Sequence, residues 1–285
     1  MVENVINNLI LNKNGSYVDG TFGSGGHASA ILKKLDAKGI LTAFDRDENS
    51  KKIAESIASK DRRMRFFKDS FGNIENYFEN QTLDGILLDL GISSGQLNDP
   101  ERGFSFEIQG PLDMRMDQNS PLSAEVWLNN SSKNEIEKVL RILGEERFSK
   151  KIANYICLRR KRKPIQTTKD LVEIILTCKR KGYKRHPATN AFRAIRMQVN
   201  SELEELHKLL STVGRLLRLG GRLAVISFHS LEDRMVKRFI QGKDSIDERS
   251  SFKLVSGKPM KPRFEEVKRN PRSRSAILRV AERTS

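Results

Sequence analysis

The chain has 285 residues, 37% of them hydrophobic and 31% charged, with only eight prolines, which suits one large or two modest packed domains and excludes a disordered or fibrous chain. Its 52 lysines and arginines outnumber 36 acids, for a net charge of +16. The excess is regional: residues 147–196 hold sixteen bases and two acids, residues 258–283 hold nine and three, and the remainder is acidic, a distribution that points to nucleic acid as partner.

Residues 1–15 lack both a basic start and a continuous apolar core, and no stretch approaches the roughly 18 apolar residues of a membrane span. A cytoplasmic protein with no membrane contact is expected. Cys157 and Cys178 lack the paired spacing of a zinc site and read as reduced structural thiols, with no metal bound.

In chain order, 16–19 (SYVD) reads as a short buried strand, and Ile31, Leu32 and Leu35 give the following segment helical spacing. A second strand is expected over 39–45, a helix over 48–59, a third strand over 64–69 and a fourth over 84–91. Strands alternating with helices predict a doubly wound α/β sheet of Rossmann type. After Gly91 the period is lost in a Gly-, Pro-, Ser- and Asp-rich stretch, read as a long ordered loop of the functional kind. Residues 123–197 carry helical patterns only, so an all-helical domain over 105–200 is expected to interrupt a sheet domain made of 1–104 and 201–285. Ser201 and Glu204 predict a capping box opening the next helix, with Gly220 and Gly221 as its stop. A fifth core strand follows over 222–228, and the alternating run 275–282 suits a last strand.

The glycine cluster joins the first strand to the first helix. Gly23, Gly25 and Ala28 satisfy a dinucleotide-type pattern, and Asp45 stands at the end of the next strand, where such folds hold ribose hydroxyls. By itself this loop admits NAD as readily as S-adenosylmethionine, so a nucleotide-cofactor oxidoreductase is one reading. Asp19, immediately before the glycines, favours the second ligand, because an acid repels a pyrophosphate and attracts a sulfonium or an amine. Asp89 closes the fourth strand at the carboxyl edge of the sheet, where ligands of open α/β folds lie.

YVDGTFGSGGHASAIL, DGILLDLGISSGQL, RGFSF with GPLDMRMD, HPATNAFRAIRMQVNSELEEL, GGRLAVISFHSLEDRMVKRF and NPRSRSAILRVAER, in order along the chain, together resemble the RsmH (MraW) family. The resemblance implies S-adenosylmethionine-dependent methylation of the exocyclic N4 of a cytidine in the decoding region of 16S ribosomal RNA. It also implies a seven-stranded sheet and an inserted helical substrate domain. Cofactor contacts are implied at Gly26, His27, Ala28, Asp45, Phe71, Asp89 and Gln96, beside Asp19, Gly23 and Gly25 of the loop. The chain departs from the family pattern at Gly95, Asn98 and Asn190.

For the amine pocket we expect Asp89 with the carbonyls after it, joined by Asp113, while His229 is a candidate proton acceptor. Phosphates of the RNA or of the small ribosomal subunit are expected on Arg159, Arg160, Lys161, Arg162, Lys163, Lys179, Arg180, Lys181, Lys184 and Arg185. A reading of another class is a weakly catalytic RNA-binding assembly factor. Association as a homodimer is left open.

Overall fold

The computed structural model describes residues 1–179, 186–243 and 251–285, so Arg180, Lys181, Lys184 and Arg185 lie outside the described residues. The chain forms two compact units, Met1–Gly91 with Leu203–Ser285, and Ile92–Glu202.

In chain order the first unit begins with α1 (Val2–Leu9), β1 (Ser16–Asp19), α2 (Gly26–Lys34), β2 (Ile40–Phe44), α3 (Glu48–Ala58), β3 (Met64–Phe67), a 3-10 turn at Phe71–Tyr77, and β4 (Leu83–Asp89). The second unit holds α4 (Ser94–Asn98), α5 (Ala124–Asn130), α6 (Lys133–Ile142), α7 (Ser149–Arg160), α8 (Thr168–Cys178) and α9 (Thr189–Val199). The chain then runs through α10 (Glu202–Leu210), α11 (Val213–Leu216), β5 (Leu217–Ser227), α12 (Ser230–Ile240), β6 (Phe252–Leu254), α13 (Phe264–Arg269) and β7 (Ile277–Arg283).

The strands make one seven-stranded sheet in the order β3-β2-β1-β4-β5-β7-β6. Strands β1 to β5 pair in parallel, and β7 runs antiparallel between β5 and β6. Side chains that alternate along a strand go to opposite faces. Leu87, Ala224, Ile226 and Leu278 accordingly pack with α1 and α2, whereas Ile86, Leu88, Leu223 and Val225 pack with Leu206, Val236 and Phe239 of α10 and α12. Both faces are thereby covered, as a doubly wound sheet requires. Register brings the ends of β1, β4 and β5 to one rim, with Asp19 beside Leu87 and Asp89 beside Ile226.

The helical unit has its own core, in which Trp127, Ile136, Leu140, Ile152, Ile156, Leu171, Ile175 and Phe192 meet. The division falls at Gly91, earlier than the expected residue 104, because Phe104 belongs to this core and Ile92 and Leu97 pack against it. That loop is more ordered than its composition suggests. Ser93 and Gln96 form a reciprocal capping box that opens α4.

Two local expectations fail. Ser201 sits at φ +49, outside the extended conformation of a capping serine, so the box with Glu204 is not its setting. Gly220 and Gly221 do not end a helix: α11 stops at Leu216 and the glycines lie within β5, where the register to β4 jumps from Leu83–Leu217 to Gly85–Arg222. Gly220, at φ +76, absorbs this bulge.

Candidate active site

The glycine loop is shaped by backbone needs. Gly25 has φ +76, and a Cβ there would approach the Phe22 ring to 2.8 Å. Gly26 begins α2, and nothing lies within 4 Å of the place its Cβ would take. Gly20 must also be bare, since a Cβ would meet Leu88 at 2.7 Å and Phe71 at 3.0 Å, which sets Phe71 against the start of the loop. Ala28 is fully buried in the apolar core. Its methyl is therefore no ligand contact, and only its backbone remains for the role the resemblance implied.

Asp19 is fully buried. Its Oδ1 accepts from the Thr21 amide at 3.1 Å, while Oδ2 has no partner. The Thr21 hydroxyl in turn accepts from the Asp89 amide at 2.6 Å, so this threonine ties the two acids together. Asp89 Oδ2 stands 3.5 Å from His27 Nδ1. Its Oδ1 and His27 Nε2 are buried without partners. About a third of the Asp89 side chain stays open to solvent, so its carboxylate is sealed on one side and reachable on the other.

Desolvation pushes Asp19 up to about 7, with Asp89 and Asp45 adding to the rise. Burial does the same to Asp89, also to about 7, against the Met1 ammonium, which lowers it, and with Glu232 adding to the rise. Desolvation lowers His27 to about 4, leaving a neutral imidazole. Acids forced toward protonation in an unpaired setting are sites for a cation, which would restore their charge.

Asp45 differs from its expected form. Its Oδ2 accepts from the Gly23 amide at 2.7 Å and the Ser50 hydroxyl at 3.0 Å, and Oδ1 from the Asp47 amide at 2.9 Å. Much of its acceptor capacity thus stitches the glycine loop to the β2–α3 turn. Burial raises its pKa against those three bonds. A ribose hydroxyl has the remaining lone pair of Oδ1 to meet, not an empty fork.

His229 follows β5 at the same rim, Ile226 being in register with Asp89. Its ring is buried and Nε2 lies 2.9 Å from Glu232 Oε1, but neither ring nitrogen has a hydrogen-bond partner. Glu232 is itself buried in the first turn of α12 and accepts the Phe228 amide through Oε2 at 3.0 Å. Thr21 and Glu232 escaped the sequence reading. Their signals were available as the threonine inside the glycine motif and an acid three residues after the histidine.

In the helical unit, Gln96 Oε1 accepts the Ser93 amide at 2.9 Å. Asp113 is held by Arg115 through four bonds: Oδ1 accepts the Arg115 amide and Nε, both at 2.9 Å, and Oδ2 accepts Nη2 at 2.6 Å and Nε at 3.1 Å. A carboxylate so filled cannot also take an amine proton, which corrects the expected catalytic role of Asp113. Its work is to hold the 113–120 loop, whose Gln118 and Ser120 carbonyls receive the Arg115 guanidinium.

The basic residues divide. Lys161, Arg162 and Lys163 are exposed just past α7. Arg159 pairs with Asp170 at 3.2 Å and bonds the Lys163 carbonyl, and Arg160 bonds the Leu128 and Ser131 carbonyls. Lys179 is buried against Glu146 at 2.6 Å and bonds the Pro187 carbonyl, so it is a structural cation and leaves the phosphate-contact set. Cys157 and Cys178 are free thiols. No metal-binding group of acids, histidines or cysteines occurs among the described residues, and none of their helices is long and apolar enough to cross a membrane.

Many known proteins are similar to this chain, two of them as follows. The ribosomal RNA small subunit methyltransferase H of Legionella pneumophila (strain Paris) is 45% identical over 295 residues, covering 98% of this chain and 96% of that protein. The protein of the same name from Nitrosomonas eutropha is 43% identical over 305 residues, covering 99% and 96%. With the family model matched over residues 1–284, the chain belongs to the MraW methylase family, whose methyl donor is S-adenosylmethionine.

Proposed function

We propose that the chain methylates the exocyclic N4 of a cytidine in the decoding region of 16S ribosomal RNA. The observation that carries the reading is the set of unpartnered buried atoms, Asp19 Oδ2, Asp89 Oδ1 and His27 Nε2, gathered beside an open glycine at one rim of the sheet. S-adenosylmethionine fits this set: it brings a sulfonium and an amino cation to acids whose buried oxygens lack hydrogen-bond partners, and its adenine and ribose fit beside Phe71 and Asp45. The relatives' names point to small-subunit RNA.

Bound there, the donor supplies an electrophilic methyl that an amine takes up with loss of one proton. Asp19 and Asp89 hold the donor's positive end and are returned to their ionised form by it. Gly26 leaves room for the ligand at the start of α2. The carbonyls after Asp89 accept hydrogen bonds from the N–H groups of the amine and aim its lone pair, an orienting effect that supplies several kcal/mol of the barrier. His229, its Nε2 2.9 Å from Glu232 Oε1, presents Nδ1, which has no hydrogen-bond partner, as acceptor for the released proton. Both cysteines belong to the helical unit. The sheet unit thus offers no thiol for attack on a pyrimidine ring carbon, and an exocyclic amine needs none. Phosphates are met by the exposed Lys161, Arg162 and Lys163.

The test is transfer of labelled methyl to small-subunit RNA followed by nucleoside analysis. Label in N4-methylcytidine is the expected result. Label in any other nucleoside overturns the assignment, and RNA binding without transfer establishes the assembly-factor reading instead.

A further inference from the structure

The sheet unit carries a second basic surface that the reading above does not use. Residues 258–274 hold seven lysines and arginines and two acids. Lys261, Arg263, Lys268, Arg269 and Arg274 are exposed, and their side chains make no ion pair or hydrogen bond with the described residues. Among them Phe264, the first residue of α13, is 78% exposed, more than any other large apolar side chain described.

The segment is anchored at the catalytic rim. Met260 exchanges backbone hydrogen bonds with Leu278 of β7, and α13 leads through a 3-10 turn at Pro271–Ser275 into Ile277, which pairs with Ser227 at the end of β5. His229 lies two residues beyond that pair. Because β7 is antiparallel to β5, its start is at the end of the sheet where Asp19 and Asp89 stand.

A lone open ring on a segment rich in exposed cations is a poor seat for a protein partner, whose interfaces centre on a contiguous apolar patch with charge kept to the rim. It matches a flexible polyanion that carries flat apolar faces: an aromatic platform for an unstacked base, with cations along the backbone. Phe264 and Lys268, four residues apart on one helix, present ring and charge side by side.

We propose that Phe264, with Lys268, Arg269 and Arg274, forms an unpaired-RNA docking surface in which Phe264 stacks on a base flanking the target. This rests on the reading that the substrate is RNA, and it places part of the substrate grip on the sheet unit itself.

Binding of a short unpaired RNA to the full chain, read by fluorescence anisotropy without methyl transfer, keeps this inference separate from the choice of target atom. Phe264→Ala is expected to weaken binding about tenfold with an unchanged salt slope and melting temperature, and Phe264→Trp to restore it. Changing Lys268 and Arg269 together to Ala should make the plot of log affinity against log salt shallower by about 0.7 for each phosphate no longer neutralised. The proposal is overturned if Phe264→Ala binds RNA like the parent, or if Phe264→Leu restores binding as fully as Trp. It is equally overturned if the Phe264 changes abolish capture of anionic lipid vesicles and leave RNA binding untouched.

Discussion

An aspartate whose buried oxygen finds no donor is held far from its ordinary value near 4, and Asp19, raised to about 7, is such a group. Between about pH 4 and 7 the folded chain keeps a proton on Asp19 that the unfolded chain has lost. Stability from this site is therefore greatest below pH 4 and declines as pH rises through 7. A cationic ligand acts in the opposite direction, favouring the ionised acid. Affinity for S-adenosylmethionine is thus expected to rise from pH 5.5 to 7.5 with proton release, seen in calorimetry as a heat that depends on the buffer's ionisation enthalpy. Asp19→Asn should flatten the contribution of this residue to both profiles, raise the melting temperature near pH 8 and weaken the donor. A parent whose donor affinity does not change with pH would refute the placement of these acids against a cation.

His229 makes a different demand, because a proton acceptor acts on turnover more than on binding. His229→Ala should lower kcat by roughly a hundredfold or more while the affinities for donor and RNA, measured separately, stay near those of the parent. An equal loss in binding and none in kcat would make the ring a structural loop residue.

At the scale of elements, the strands were legible because β1, β2 and β4 are short apolar runs set between glycines and helical patterns, and burial confirms them on both faces. Hidden from the sequence were choices made by tertiary contacts. β6, only three residues long, forms because β7 offers its outer edge. Gly220 serves a bulge in β5 and not a helix stop, since the choice depends on where β4 lies opposite. The acids at the strand ends could be read from sequence, but the bonds that occupy Asp45 and Asp113 could not, because their donors belong to backbone turns and to a neighbouring arginine.

The turn into α2 supplies a paired test of which glycine serves the fold and which the ligand. Gly25→Ala must adopt a left-handed conformation and crowd Phe22, so it should cost about 1 to 2 kcal/mol of stability and lower the melting temperature. Gly26→Ala meets nothing in the protein. It should melt like the parent yet bind S-adenosylmethionine more weakly, its methyl standing in the ligand's space. Equal donor affinity for Gly26→Ala and parent would move the ligand away from this turn.

Across the whole molecule, the charge excess that suggested a nucleic-acid partner sorts into two kinds once packing is known, and composition has no way to separate them. Lys161, Arg162 and Lys163 stand in solvent, while Lys179 is closed off with Glu146 and Arg160 is bound to carbonyls of the 128–131 turn. The two kinds should respond oppositely to substitution. Replacing residues 161–163 with alanine should leave the melting temperature within a degree or two of the parent and make the salt dependence of RNA binding shallower, by roughly 0.7 to 0.9 for each phosphate left without its cation. Lys179→Ala strands a buried carboxylate, which costs about 3 kcal/mol or more, and should lower the melting temperature by several degrees while the folded fraction keeps the parent's salt slope. If the slope instead followed Lys179 and ignored residues 161–163, the RNA path over the helical unit would have to run along the face near α8.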